Sequence, residues 1–191
     1  MRSFAFGSLV LGALAFVLGG PLSAEEKKVK VGEKAPAFES VDEAGKAWKS
    51  SDYVGKKILV VYFYPADFTG GCTKQACGFR DDIEKLASKG VHVVGVSGDK
   101  AETHAKFKKA HDLNFTLLAD EEGKLAKTFG VPVGKGGKAS FKGEDFIRGV
   151  TIQRFTVVIG RDGTIAAIDQ IKDAGGDSKR IAELVKKLEK N

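Results

Sequence analysis

The chain has little of what metal and nucleotide sites are built from. Only two cysteines and three histidines occur among its 191 residues. His92, His104 and His111 have no carboxylate or cysteine accompanying them at metal-ligand spacing. Zinc sites want three or four convergent ligands, so no metal centre is expected. GKGGK at 134–138 lacks both the Walker spacing and the strand-to-helix setting of a phosphate loop, and reads as a flexible loop. No internal repeat and no long low-complexity tract is present. The net charge of +6 is carried by lysines spread among many acids. Without a basic cluster or an aromatic-basic motif, that excess marks a solvated surface, and a nucleic-acid partner is not expected.

What the chain does have is one apolar run near its start. Arg2, the stretch Phe4 to Leu18, and the small-residue exit Leu22-Ser23-Ala24 have the order of an export signal. Residues 1–24 are therefore expected to be a signal peptide and the protein to work outside the cytosol, periplasmic or otherwise extracytoplasmic. An uncleaved membrane anchor is the rival, because the run is near the lower limit for spanning a bilayer. Outside the cytosol, disulfides can persist. Residues 25–34 are charged and read as a mobile lead-in. Residues 35–191 have the length of one domain with a good-sized core.

Pro36–Val41 and Lys46–Trp48 flank the turn-like Asp42-Glu43-Ala44-Gly45, predicting an N-terminal hairpin. ILVVYFY, 58–64, is uncharged and β-branched, the pattern of a central strand buried on both faces. Ala76, Phe79, Ile83, Leu86 and Ala87 recur at helical spacing after it. VHVVGVS at 91–97 is a second buried strand, 102–112 a helix, 115–118 a short strand, and 120–129 a short helix capped by Asp120. Residues 133–148 read as an irregular excursion. A strand at 151–159 turns through Gly160–Gly163 into a partner at 164–168. A last helix carries Ile181, Leu184, Val185 and Leu188 on one face, with Asp177 or Ser178 as its cap. This order predicts an α/β, thioredoxin-like three-layer sandwich with a mixed central sheet and an N-terminal hairpin.

Both cysteines fall in YFYPADFTGGCTKQACGF, 62–79. Cys72 lies in the first turn of the helix after the buried strand, where unpaired N–H groups and the helix dipole favour an anion such as a thiolate. A small buried hydrophobe is the bland alternative. The polar or bare neighbours Thr69, Gly70, Gly71, Thr73 and Lys74 weigh against it. In a regular helix, residues five apart have Cα atoms ~8.5 Å apart, beyond the ~7 Å limit for a disulfide. Cys72 and Cys77 can therefore bond only if the first turns unwind. That suits a bond made and broken through a conformational step, not a staple.

The string Pro65-x-x-x-Thr69-x-x-Cys72, directly after the buried strand, resembles the active-site signature of peroxiredoxins. YFYPADFTGGCTKQACGFRD is similar to the subgroup called bacterioferritin comigratory protein or peroxiredoxin Q, and NFTLLADEEGKLAKTFGV and RFTVVIGRDGTI extend the likeness across residues 30–190. One departure is Gly70-Gly71, where the family commonly has proline-glycine. The resemblance implies a peroxidase that needs no cofactor. Cys72 would attack the peroxide and become a sulfenic acid. Cys77 would condense with it to a disulfide, reduced in turn by thioredoxin or a similar dithiol. Thr69 would hydrogen-bond the peroxide and the thiolate, and Pro65 would shield Cys72 from water. Arg154, in TIQRFTVVI, matches the family's late-strand arginine and would hold Cys72 ionised. Read without the family, Arg154 is equally an outward-facing edge-strand residue.

The resemblance thus implies a peroxide substrate, a dithiol reductant and a role in antioxidant defence. The protein is expected to be a monomer or weak dimer. Two rivals keep the same body. An exported thiol-disulfide oxidoreductase would normally need C-x-x-C, where this chain has C-x₄-C. A copper or haem-delivery module would need a further ligand near the thiols.

Overall fold

A computed structural model describes residues 29–189. The expected leader and the first part of the lead-in lie outside the described residues. The chain runs β1 (Glu39–Asp42), β2 (Ala47–Lys49), β3 (Ile58–Phe63), α1 (Gly70–Ala87), β4 (Val91–Ser97), α2 (Ala101–Ala110) and β5 (Thr116–Ala119). It continues with α3 (Lys124–Thr128), β6 (Val133–Phe141), β7 (Glu144–Ile152), β8 (Phe155–Ile159), β9 (Ile165–Gln170) and α4 (Asp177–Leu188). Seven strands form one sheet in the order β2-β1-β5-β4-β3-β8-β9. β3, β4 and β5 run parallel, while β8, β9, β1 and β2 join antiparallel. The expected mixed sheet and N-terminal hairpin are both present.

β3 holds the centre because it carries no charge and can be covered on both faces. All six of its residues are buried. Val60 and Tyr62 face a layer built from Phe79 and Leu86 of α1, Phe107 of α2, and Ile181 and Val185 of α4. Leu59, Val61 and Phe63 face Phe38, Trp48, Leu125 and Phe129 on the opposite side. Each such side chain taken fully from water contributes about 1.5–3 kcal/mol. Two apolar layers around one sheet make the three-layer sandwich. Among the described residues, no helix is long and apolar enough to cross a membrane.

Four expectations need correction. Residues 133–148 are not irregular: β6 and β7 form a long antiparallel hairpin, paired from Val133↔Ile152 to Phe141↔Glu144. Its turn uses Lys142 and Gly143 at positive φ, as a tight hairpin turn demands. Two of the glycines that hid its alternation, Gly136 and Gly149, are there for backbone approach. A Cβ at Gly149 would lie 2.4 Å from the Glu121 carbonyl oxygen. GKGGK accordingly belongs to a strand. Second, 151–159 is two strands, broken at Gln153-Arg154: the Gln153 N–H still donates to Pro132 O in the β6–β7 register, and pairing with the main sheet begins only at Phe155. Third, the short helix starts only at Lys124. The Asp120 carboxylate still caps it, accepting from the Leu125 and Ala126 N–H groups. Fourth, neither Asp177 nor Ser178 caps α4; Gly176 stands at that position and both side chains are used elsewhere.

The second half of the expected lead-in is fastened to the sheet. Gly32 N–H donates to Ile165 O, Ile165 N–H to Glu33 O, and Ala35 N–H to Gly163 O. The outer edge of β9 and the turn before it offer these unpaired groups, and an extended segment satisfies them.

His92, on β4, stacks on Tyr53 with ring centres 3.9 Å apart, and Tyr53 stacks on Trp48. Its Nε2 is buried without a hydrogen-bond partner. Burial, reinforced by the Lys57 charge, lowers its pKa from 6.5 to about 4. Between those values the unfolded chain takes up a proton that the folded chain refuses, so stability falls as pH falls from 6.5 toward 4. The Tm of the protein should therefore drop more steeply over this range than that of a His92→Phe variant, which keeps the stack. Parallel slopes in the two proteins would refute this.

Candidate active site

The site forms where β3 ends and α1 begins. Tyr64 N–H still bonds Val96 O, and the chain then leaves the sheet through Pro65-Ala66-Asp67-Phe68. This loop is gripped from below. Asp67 is fully buried. Its N–H donates to Asp99 Oδ2 at 2.9 Å, and its carboxylate takes the Tyr64 hydroxyl at 2.7 Å and faces His104 Nδ1 at 2.8 Å. Burial pushes the His104 pKa down, but the Asp67 charge and hydrogen bond and the Asp99 charge outweigh it, so the net shift is upward. Burial, then the Asp67 charge, pushes the Asp99 carboxyl up. A buried acid, imidazole and phenol thus tie the loop to α2 and β5 with their charges matched.

Phe68 sits at positive φ, a conformation unusual for a bulky residue. Its ring stacks on Phe141 and Phe146 of the β6–β7 hairpin, with centres 4.6 Å away in each case. Thr69 is the N-cap residue of α1, in extended conformation. Its hydroxyl donates to Ala66 O at 3.0 Å and so closes the loop on itself. Pro65 is half-buried at the start of this loop.

Cys72 is the third residue of α1, within the turn whose N–H groups have no partner inside the helix. It is 1% exposed. Arg154 reaches it from the break between β7 and β8: Nη2 lies 3.2 Å from Cys72 Sγ. The expected site residue Arg154 is therefore on the sulfur, and its alternative as an outward-facing edge residue is excluded. At that distance the guanidinium is a charge-assisted donor to sulfur. Gly71 makes room, since a Cβ there would come 3.3 Å from Arg154 Nη2.

Cys77 is half-buried, further along the same helix. Both thiols are free. With α1 regular from Gly70 to Ala87, the two cysteines keep the helical separation of ~8.5 Å between Cα atoms. The structure brings Arg154 onto Cys72, sets Thr69 at the N-cap of the same turn and Pro65 in the loop before it, and holds Cys77 apart from Cys72.

Several polar partners escaped sequence reasoning. Gln75, fully buried, accepts from Arg154 Nη1 and donates through Nε2 to Asp177 Oδ2 at 2.8 Å. Its place one helical turn after Cys72 was an available signal. Asp177, assigned in the sequence to a cap, had none. Asp82 accepts from Ser178 Oγ and ties α1 to α4. Among the described residues, no group of three or more potential metal ligands comes together.

The class of protein is now defined: a thioredoxin-like α/β fold with a guanidinium-bound cysteine at the start of the helix after the central strand. The chain belongs to the AhpC/TSA family, whose profile matches residues 31–168. A putative peroxiredoxin bcp of Coxiella burnetii (strain RSA 493 / Nine Mile phase I) is 39% identical over 163 residues, which is 84% of this chain and 99% of that one. The chloroplastic peroxiredoxin Q of Oryza sativa subsp. japonica is 52% identical over 105 residues, 55% of this chain and 48% of that protein. The chain thus spans about half the length of the chloroplastic relatives it matches. Among solved structures, peroxidoxin BcpB from Mycobacterium tuberculosis superposes with a TM-score of 0.70 at 28% identity, over 83% of this chain and 97% of that one. The resemblance read from residues 62–81 is borne out.

Gly70, where the family commonly has proline, is the first residue of α1. A Cβ there meets nothing within 4 Å, and Thr69 before it is extended. Proline fits that geometry and removes an N–H that has no helical partner. Gly70→Pro should raise unfolding stability by about 0.4–1 kcal/mol, by restricting the unfolded chain. Urea denaturation measures it; a destabilised variant would show that the loop needs its glycine.

Proposed function

We propose that the protein is a thiol-dependent peroxidase of the peroxiredoxin Q kind. It reduces hydrogen peroxide and organic hydroperoxides in antioxidant defence, with no haem, flavin or metal. The observation that carries this reading is the 3.2 Å contact of Arg154 Nη2 with the Sγ of Cys72 in the first turn of α1. The Cys72 thiolate attacks the terminal peroxide oxygen. The O–O bond breaks, the leaving oxygen departs as an alkoxide or hydroxide and takes a proton, and sulfur becomes a sulfenic acid. Arg154 supports charge on the attacking sulfur and the departing oxygen. Thr69 turns its hydroxyl from Ala66 O to the bound peroxide, and Pro65 covers the sulfur against water.

The first turns of α1 then unwind, the Cys77 thiolate attacks the sulfenic sulfur, and water leaves as the Cys72–Cys77 disulfide forms. An external dithiol, thioredoxin or similar, returns both thiols and is itself oxidised. The order of residues 2–24 supports an exported protein, and we read it as a monomer or weak dimer in solution. Thiol-disulfide exchange as the main activity is disfavoured, because the chain has C-x₄-C in place of C-x-x-C and its relatives carry the name peroxiredoxin.

Purified protein with a dithiol reductant should consume peroxide, and Cys72→Ser should abolish this. Without reductant, Cys77→Ser should reduce one equivalent of peroxide and stop at the sulfenic acid. Mass spectrometry after one equivalent should show two hydrogens lost in the parent protein and one oxygen gained in Cys77→Ser. Full turnover by the Cys72→Ser protein would sink the assignment of the nucleophile.

A further inference from the structure

Asp177 is a buried carboxylate that caps nothing. It is 1% exposed, the first residue of α4, and lies 102 residues beyond Gln75 in the chain. Its oxygens are fully engaged. Oδ2 accepts from Gln75 Nε2 at 2.8 Å and from the Thr156 hydroxyl at 2.6 Å; Oδ1 accepts from Arg180 Nε at 3.0 Å. Arg180 also holds Asp169 Oδ2 at 2.7 Å. Gln75 and Thr156 are both fully buried. A carboxylate placed here without these donors would cost several kcal/mol, so the cluster is built to keep a negative charge behind Gln75.

The consequence lies in the amide. A glutamine side chain has one donating end and one accepting end, and nothing in its shape decides which way it turns. Here its two neighbours decide. An ionised carboxylate only accepts, so the Gln75 NH₂ must face Asp177. A guanidinium only donates, so the Gln75 oxygen must face Arg154 Nη1. With Nη1 held, the planar fork brings Nη2 to Cys72 Sγ.

We propose that Asp177 is a positioning residue for the peroxide step: it fixes the orientation of the Gln75 amide, and through it the aim of Arg154 at Cys72. The inference deepens the peroxidase reading above and rests on it. The charge at the start of α4 therefore acts on the sulfur through two side chains without touching either sulfur or substrate. Neutralising Asp177 lets the amide turn, sets its NH₂ against the guanidinium, and frees Arg154 to leave.

The test reverses the polarity of the pair in a Cys77→Ser background, where Cys72 is the only thiol. Asp177→Asn should slow sulfenic acid formation by about 10- to 100-fold, the scale of a misplaced catalytic group. Gln75→Glu, which sets two carboxylates face to face, should be similarly slow. The double variant Gln75→Glu/Asp177→Asn should recover to within a few-fold of the parent. In it the new amide at position 177 donates to the new carboxylate at position 75, which still accepts from Arg154. Packing loss alone would not be repaired by a second change of charge. Gln75→Met, close in size and leaving Asp177 on Thr156 and Arg180, should also be slow, and serves if a charged single variant fails to fold.

A second readout does not depend on peroxide. The ratio of Cys72 alkylation rates with iodoacetate and iodoacetamide reports whether a cation stands beside the sulfur. It should fall in each single variant and return in the double. Unchanged peroxide rate and unchanged alkylation ratio in folded Asp177→Asn, or a double variant as slow as the singles, would overturn the proposal and leave the peroxidase reading standing. A parent protein inert to peroxide, with the ratio still changing as stated, would instead remove the peroxidase reading and retain the positioning role.

Discussion

A half-buried guanidinium held against one buried sulfur is the constraint that organises this molecule. A cation there costs several kcal/mol unless its other hydrogen bonds are met. Arg154 meets the condition by giving one nitrogen to Cys72 and the other to Gln75. That arrangement needs three distant pieces of chain at once: the first turn of α1, the break between β7 and β8, and the start of α4. β3 leads directly into the first of them and pairs with β8, which follows the second. Its burial on both faces makes the junction rigid.

A second demand conflicts with the first. The intact α1 holds Cys72 near Arg154, whereas a bond to Cys77 needs the same turns undone. Contacts that stabilise the first state resist the second, among them Gln75 with Asp177 and Asp82 with Ser178. The loop before the helix is gripped just as firmly, by Asp67 on Asp99, Tyr64 and His104. In the proposed cycle the protein is firm where peroxide is met and yields only along the helix. Glycines at 70, 71 and 78 lower the cost of that unwinding.

Local patterns exposed much of this. The uncharged run 58–64 announced the central strand, because a strand covered on both faces has no room for alternation. Cys72 announced itself by position, since a helix start after such a strand favours an anion. The hairpin at 133–152 stayed hidden because its glycines, two of which serve backbone approach, break the usual alternation. The single strand expected at 151–159 failed for a related reason. Its apolar residues continue past Arg154, but the backbone turns there to bring the guanidinium inward.

The sequence by itself determined most of the elements up to residue 129, the candidate cysteine and the family, because these rest on short-range periodicity and on neighbours a few residues away. Tertiary structure alone decided what holds Arg154 in place. Asp177 looks like a helix cap until α4 is packed against α1, and only then does its charge meet Gln75. His104 and Asp67 likewise become partners only once α2 folds beneath the loop. Charges separated by dozens of residues leave no periodic trace, and only the packing of helices on the sheet brings them within a hydrogen bond of each other.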